Sequence, residues 1–126
     1  NVIETELRYT TSISTDTAGE LKSYFSPTYG QTYSNFGVID EKGKEITSAT
    51  EGGEIAIKIS TEDNKIIWQR LISSASYSSY GLKARVTSVK KENDKNVFHV
   101  ILDISDKDGN KIITNEFDVI PVNKLT

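Results

Sequence analysis

The chain has 126 residues, enough for one domain with its own core, and its 18 acidic and 15 basic residues are spread without a basic stripe. A net charge of −3 with no such stripe argues against nucleic-acid binding, which needs cations aligned on phosphates. There is no cysteine, so disulfides, thiol catalysis, iron–sulfur clusters and thiolate zinc sites are excluded, and no run reaches the ~20 apolar residues of a membrane-spanning helix.

In chain order, Ile3, Leu7, Tyr9 and Ile13 share one parity while Glu4, Glu6, Arg8, Thr10 and Ser12 take the other. This predicts a strand, or a strand pair, buried on one side. The segment from Thr17 to Thr32 shows no clean period and reads as a long loop or as one short helical turn before Pro27. Phe36–Asp40 and Glu45–Ser48 flank the turn sequence Glu41-Lys42-Gly43-Lys44. Ile55, Ile57 and Ile59 alternate with Glu54, Lys58 and Ser60, the pattern of a half-buried strand. After Glu62-Asp63-Asn64-Lys65 comes Ile66–Ile72, apolar on both parities, which predicts a central strand with Trp68 in the core.

Leu82, Ala84 and Val86 then alternate with Lys83, Arg85 and Thr87. Glu92-Asn93-Asp94-Lys95 separates that run from Phe98, Val100, Leu102 and Ile104. Asp108-Gly109 favours a type I′ hairpin turn because glycine tolerates a positive φ. Ile113, Phe117 and Val119 lie on the strand that follows, and Ile120-Pro121-Val122 reads as a strand near a sheet edge. Four hairpin signals in series predict seven to nine antiparallel strands, in a meander or a Greek key. The fold class expected is therefore all-β: one domain over residues 1–126, an antiparallel two-sheet sandwich, with a closed eight-stranded β-barrel as the alternative.

The run Glu51-Gly52-Gly53-Glu54-Ile55-Ala56-Ile57-Lys58-Ile59, followed by Trp68, resembles the immunoglobulin-like β-sandwich modules of bacterial and phage surface proteins. The resemblance spans Thr50 to Val122. It implies a sandwich displayed outside the cell, without the paired cysteines of antibody domains. The chain starts at Asn1, and a leader removed upstream would fit a secreted, cell-surface or lipoprotein location, or a virion surface.

No catalytic motif stands out. His99 is the only histidine and lies on the strand face opposite Phe98, so neither a histidine-rich zinc site nor a Ser-His-Asp arrangement is expected. Asp103, Asp106, Asp108 and Asn110 fail the EF-hand spacing and read better as hairpin residues. Glu116 and Asp118 lie two apart on one strand face, a common solvent-face pattern. No cofactor is expected, and catalytic and metal-binding residues are assigned to none. The distinctive feature is the clustering of tyrosine with serine. Tyr24, Tyr29 and Tyr33 fall in one segment, and Tyr77 and Tyr80 in Ser73-Ser74-Ala75-Ser76-Tyr77-Ser78-Ser79-Tyr80-Gly81. Tyr, Ser, Gly and Asn are the residues of antibody paratopes, where tyrosine supplies rigid amphipathic area and serine adaptable hydrogen bonds. These five tyrosines are the candidate partner- or glycan-binding residues. The competing reading packs them across strands, where tyrosine is favoured. The function expected is a non-catalytic binding or structural module recognising a protein or glycan. The alternatives are a lipocalin-like carrier and a carboxylate-dependent enzyme.

Overall fold

A computed structural model describes residues 2–48, 51–60, 66–70, 83–106 and 108–125. One helix, α1 (Val2–Tyr9), precedes β1 (Ile13–Thr15), β2 (Leu21–Ser26), β3 (Gln31–Ile39), β4 (Glu54–Ser60) and β5 (Ile66–Arg70). β6 (Lys83–Lys90), β7 (Phe98–Ser105) and β8 (Lys111–Val119) follow. The strands form two antiparallel sheets, β1-β2-β3-β4-β5 and β6-β7-β8, which do not close on each other. The two-sheet sandwich is thus the architecture, and the barrel is not formed. Within each sheet every neighbour is the next strand in sequence, so the Greek-key alternative gives way to two meanders.

The period-two runs of β4 and β7 do what their spacing predicts. Phe98, Val100 and Leu102 of β7 are buried, and Val100 lies opposite Phe117 while Phe98 lies opposite Val119. In the other sheet Ile55 and Ile57 are wholly buried opposite Val38 and Phe36. These faces meet with Leu21, Tyr24, Tyr33 and Val89 in one core, to which α1 adds Ile3 and Leu7. Each such side chain taken fully out of water contributes about 1.5–3 kcal/mol. Tyr24 stacks on Phe36, ring centroids 5.1 Å apart.

β6 joins the sheets. Its Ala84 exchanges two 2.9 Å backbone hydrogen bonds with Gly53, just before β4, and its end bridges to Glu20, just before β2. β6 also packs against β3, so it crosses the ends of β2, β3 and β4 rather than extending their sheet. Gly53 is required at this crossing. A Cβ there would stand 2.6 Å from the Ile39 carbonyl oxygen.

Three loops share one construction, Asp-x-x-Gly-x. In Asp16–Glu20, Asp40–Lys44 and Asp106–Asn110 the aspartate Oδ1 accepts the N–H groups two and four residues ahead, all at 2.9 Å. The aspartate carbonyl accepts the glycine N–H, and each glycine has φ between 85° and 91°, where a Cβ would be strained. Asp108-Gly109 is therefore part of a longer loop held by Asp106, not a two-residue type I′ turn. Gly43 likewise closes its turn, but Glu45 makes only a bridge to Ile39 and Glu45–Ser48 is not a strand.

Three further expectations are corrected. Residues 2–9 are helical, not extended. Ile3, Glu6 and Leu7 lie on one side of the helix, and Arg8 pairs with Glu4 one turn back. An eight-residue helix is marginal alone, so packing on β2 and β8 holds it. The segment Thr17–Thr32 is not a loop; it contains β2, the turn at residues 27–30 and the start of β3. Finally, β8 ends at Val119. Ile120–Val122 leaves the sheet for the helix, and the Val122 N–H donates to the Arg8 carbonyl at 2.7 Å. The turn Glu62–Lys65 and Leu82 lie outside the described residues. β5 is not central as its two apolar parities predicted: among the described residues it is the last strand of its sheet, with Trp68 opposite Lys58 and the Trp68 side chain outside the described set.

Candidate functional site: a groove built by strand irregularities

Regular ladders present flat faces, and extra residues in a strand re-aim side chains. In β2, Thr15 pairs with Leu21 but Ser14 with Ser23, which leaves Lys22 as the extra residue. In β3, Ser34 pairs with Lys58 and Phe36 with Ile57, so Asn35 is extra. Both lie immediately beyond the Ser23–Ser34 pair, side by side in the β2–β3 ladder. In β6 the extra residue is Thr87, next to Val86.

Lys22, Asn35 and Val86 border a groove of about 370 Å³. Buried Phe36 and Val38, with half-buried Ile46 and Val86, form an apolar floor; Lys22, Ser34, Glu45, Thr47 and Arg85 add a polar rim. The bulge is internally satisfied: Asn35 Nδ2 donates to the Leu21 carbonyl at 2.8 Å, and its Oδ1 accepts the Phe36 N–H at 2.7 Å. Asn35 thus makes good the ladder bonds that the bulge breaks, which fixes the rim without spending Lys22. The ammonium of Lys22 makes no ion pair among the described residues. Arg85 Nη1 donates to the carbonyls of Ser48 at 2.9 Å and Glu51 at 3.2 Å, holding the wall above the groove. Chemically, such a groove can seat an apolar side chain on its floor and a carboxylate at its cationic rim.

A second polar cluster is sealed inside. Glu6 is wholly buried, and no cation pairs with it among the described residues. Its carboxylate accepts from Ser26 Oγ at 2.9 and 3.1 Å, from Thr28 Oγ1 at 3.4 Å and, at 3.5 Å, from the Tyr24 hydroxyl. Burial, and then the Glu6 charge, push the Tyr24 phenol well above its ordinary value. Burial also raises Tyr33, with Tyr29 and Glu6 adding to it. A wholly buried carboxylate ringed by hydroxyls ties α1 to the β2–β3 hairpin and offers a dissolved partner nothing to touch.

The predicted tyrosine set separates accordingly. Tyr24 is 0% and Tyr33 4% exposed, so both face the core, the cross-strand placement weighed against a binding role. Tyr29, at 38%, is the one of these three that solvent reaches; it meets Tyr33 edge-on at 6.1 Å. Tyr77 and Tyr80 lie outside the described residues. None of Tyr24, Tyr29 and Tyr33 borders the groove.

His99 is on the outer face of β7, as its parity predicts. Its Nδ1 lies 2.7 Å from Asp118 Oδ1 and its Nε2 3.7 Å from Glu116, all three side chains exposed. Among the described residues no group of His, Asp or Glu side chains is placed to hold a metal ion. Asp106 is spent on its own loop, and Asp103 accepts from Thr114 at 2.8 Å and from Lys111 at 3.4 Å, the hairpin role expected of them. Among the described residues no helix is long and apolar enough to cross a membrane.

No protein-family model, curated protein or solved structure matches this chain. The functional reading therefore stands on its own residues. Sequence reasoning missed Lys22, Asn35 and Arg85 as a set, because a bulge is visible only once the strands are paired.

Proposed function

We propose that this domain is a non-catalytic binding module, and that its partner is a protein segment carrying an acidic side chain, seated in the β2–β3–β6 groove. The observation that supports this reading is the pairing of an apolar floor with the Lys22 ammonium, which makes no ion pair among the described residues, on a rim fixed by Asn35. A glycan fits less well. Sugars are gripped by stacking on exposed aromatic faces, whereas Phe36, the groove's aromatic residue, is 9% exposed and Tyr29 lies elsewhere. The carrier reading depended on a closed barrel, which this fold is not. Display outside the cell is part of the same proposal and rests on the resemblance of residues 50–122 to surface-displayed β-sandwich modules.

The test is selection from a displayed random-peptide library, followed by affinity measurement on the enriched peptides. Enriched peptides should share an acidic residue beside an apolar one. Lys22→Glu should weaken them at least about tenfold, the size of one lost charge-assisted hydrogen bond, while Tyr29→Ala should leave them unchanged. Equal affinity for Lys22→Glu and wild type would refute the groove as the binding site.

A further inference from the structure

Among the described residues β8 is the edge of the three-stranded sheet, paired with β7 on one side only. Along that side an edge strand presents a row of unpaired N–H and C=O groups, an invitation to another strand unless proline, inward charges or a cover block it. β8 contains no proline, and six of its nine residues form an uninterrupted exposed run from Lys111 to Glu116, with Asp118 exposed as well. Ile112 and Ile113 are 58% and 53% exposed, and Ile120, just beyond the strand, is 71% exposed. Among the isoleucines whose side chains are described, these three alone are exposed; the others are buried or half-buried.

We propose that β8 pairs antiparallel with β8 of a second copy of this chain, making one six-stranded sheet across a two-fold axis at Asn115. The occupant follows from self-complementarity. Of the antiparallel two-fold registers, the one centred on Asn115 overlaps all nine residues, Lys111 with Val119 of the other copy and the reverse. It sets Ile113 against Phe117 and Thr114 against Glu116, twice each, and brings Ile112 diagonally beside Ile120. Charge favours the antiparallel sense. In this antiparallel register Glu116 faces Thr114 and Asp118 faces Ile112, so no carboxylate lies directly opposite another. Parallel pairing would instead align the acidic ends. One unfavourable contact belongs to the chosen register: the two Glu116 carboxylates become diagonal neighbours, roughly 7–8 Å apart by strand geometry.

The interface is small, so the dimer should be weak, with Kd on the order of micromolar. Sedimentation equilibrium from low to high micromolar concentration should show a monomer–dimer equilibrium. Ile113→Lys, at an exposed position, should weaken dimerisation at least tenfold without altering the fold. Glu116→Gln should tighten it by removing the diagonal repulsion. Because the chain has no cysteine, Asn115→Cys gives a direct register test. Mild oxidation should link two copies through residue 115, whereas Ile113→Cys should cross-link only when Phe117→Cys is also present. A monomer throughout the concentration range, an Ile113→Lys variant that dimerises as well as wild type, or equal cross-linking by Asn115→Cys and Ile113→Cys alone would each overturn the proposal.

Discussion

Gly53→Ala asks most of this fold for the least chemical change. A Cβ at Gly53 would lie 2.6 Å from the Ile39 carbonyl oxygen, 2.7 Å from Ile46 Cδ1 and 2.9 Å from Val38 Cγ1. The Ile46 tip can rotate away, but the Ile39 carbonyl belongs to the β3 backbone and cannot. Relief requires Gly53 to retreat, and Gly53 is held by two 2.9 Å backbone hydrogen bonds to Ala84, the joint between the sheets. Overpacking of this kind costs about 1–3 kcal/mol, and weakening the joint adds about 0.5–1.5 kcal/mol per hydrogen bond, so a loss of about 2–4 kcal/mol is expected. Gly30→Ala is the control. It introduces the same methyl where φ is +68° and nothing lies within 4 Å, so only the backbone strain, about 1 kcal/mol, should appear. Urea unfolding of the two variants measures the difference. With m at about 1–3 kcal/mol/M, the Gly53→Ala midpoint should fall by roughly 1–2 M at unchanged m. Because Arg85 and Val86 follow Ala84 directly, Gly53→Ala should also impair peptide binding in the groove. A Gly53→Ala midpoint equal to that of Gly30→Ala would show that the crossing of β6 over β4 is not as tight as described.

Two further predictions concern charge. Glu6→Ala should cost about 2–4 kcal/mol in urea unfolding, since it leaves the Ser26 and Tyr24 hydroxyls buried without their acceptor and opens a cavity; Glu6→Gln, which keeps an acceptor, should cost under about half of that. An equal loss for both would mean that the hydroxyl ring contributes little. The N–H groups of Lys44 and Asn110, as leading causes, hold the Asp40 and Asp106 carboxyls below their ordinary value. A carboxyl whose value is lower folded than unfolded stabilises fully above the unfolded 3.8 and loses that contribution as pH falls through its folded value. Replacing both by Asn keeps the loop acceptor and should flatten the acid limb of the stability curve below about pH 4; an unchanged acid limb would contradict it.

What the sequence disclosed, and what it hid, follows from strand regularity. Phe98, Val100 and Leu102, or Ile55 and Ile57, alternate without interruption, so their strands and inward faces were readable. β2 was not, because the extra residue Lys22 leaves Leu21 and Tyr24, three apart, both buried, and no period of two survives that shift. The helix escaped for another reason. Its buried stripe holds Ile3 and Leu7 but also Glu6, with Thr10 buried just beyond, and hydropathy cannot flag a stripe that is half polar. The Ile3–Leu7 and Glu4–Arg8 pairs, each four apart, were the helical spacings available. The tyrosines show the limit of composition: the same Tyr/Ser mixture suits a paratope or a strand, and only register places Tyr24 opposite Ile13 and inside the core. The Asp-x-x-Gly-x spacing recurs at Asp16, Asp40 and Asp106, but the Asp108-Gly109 pair inside the last of these reads by itself as a two-residue turn, and only the bonds to Asp106 show the longer loop.

The most direct test of the binding account is to locate a bound peptide on the domain. Backbone amide shifts recorded while an enriched acidic peptide is titrated in should move at Lys22, from Ser34 to Val38, at Ile46 and Thr47, and at Arg85 and Val86. Shifts confined to the Thr28–Tyr29 turn or to β8, with the groove residues unmoved, would contradict it.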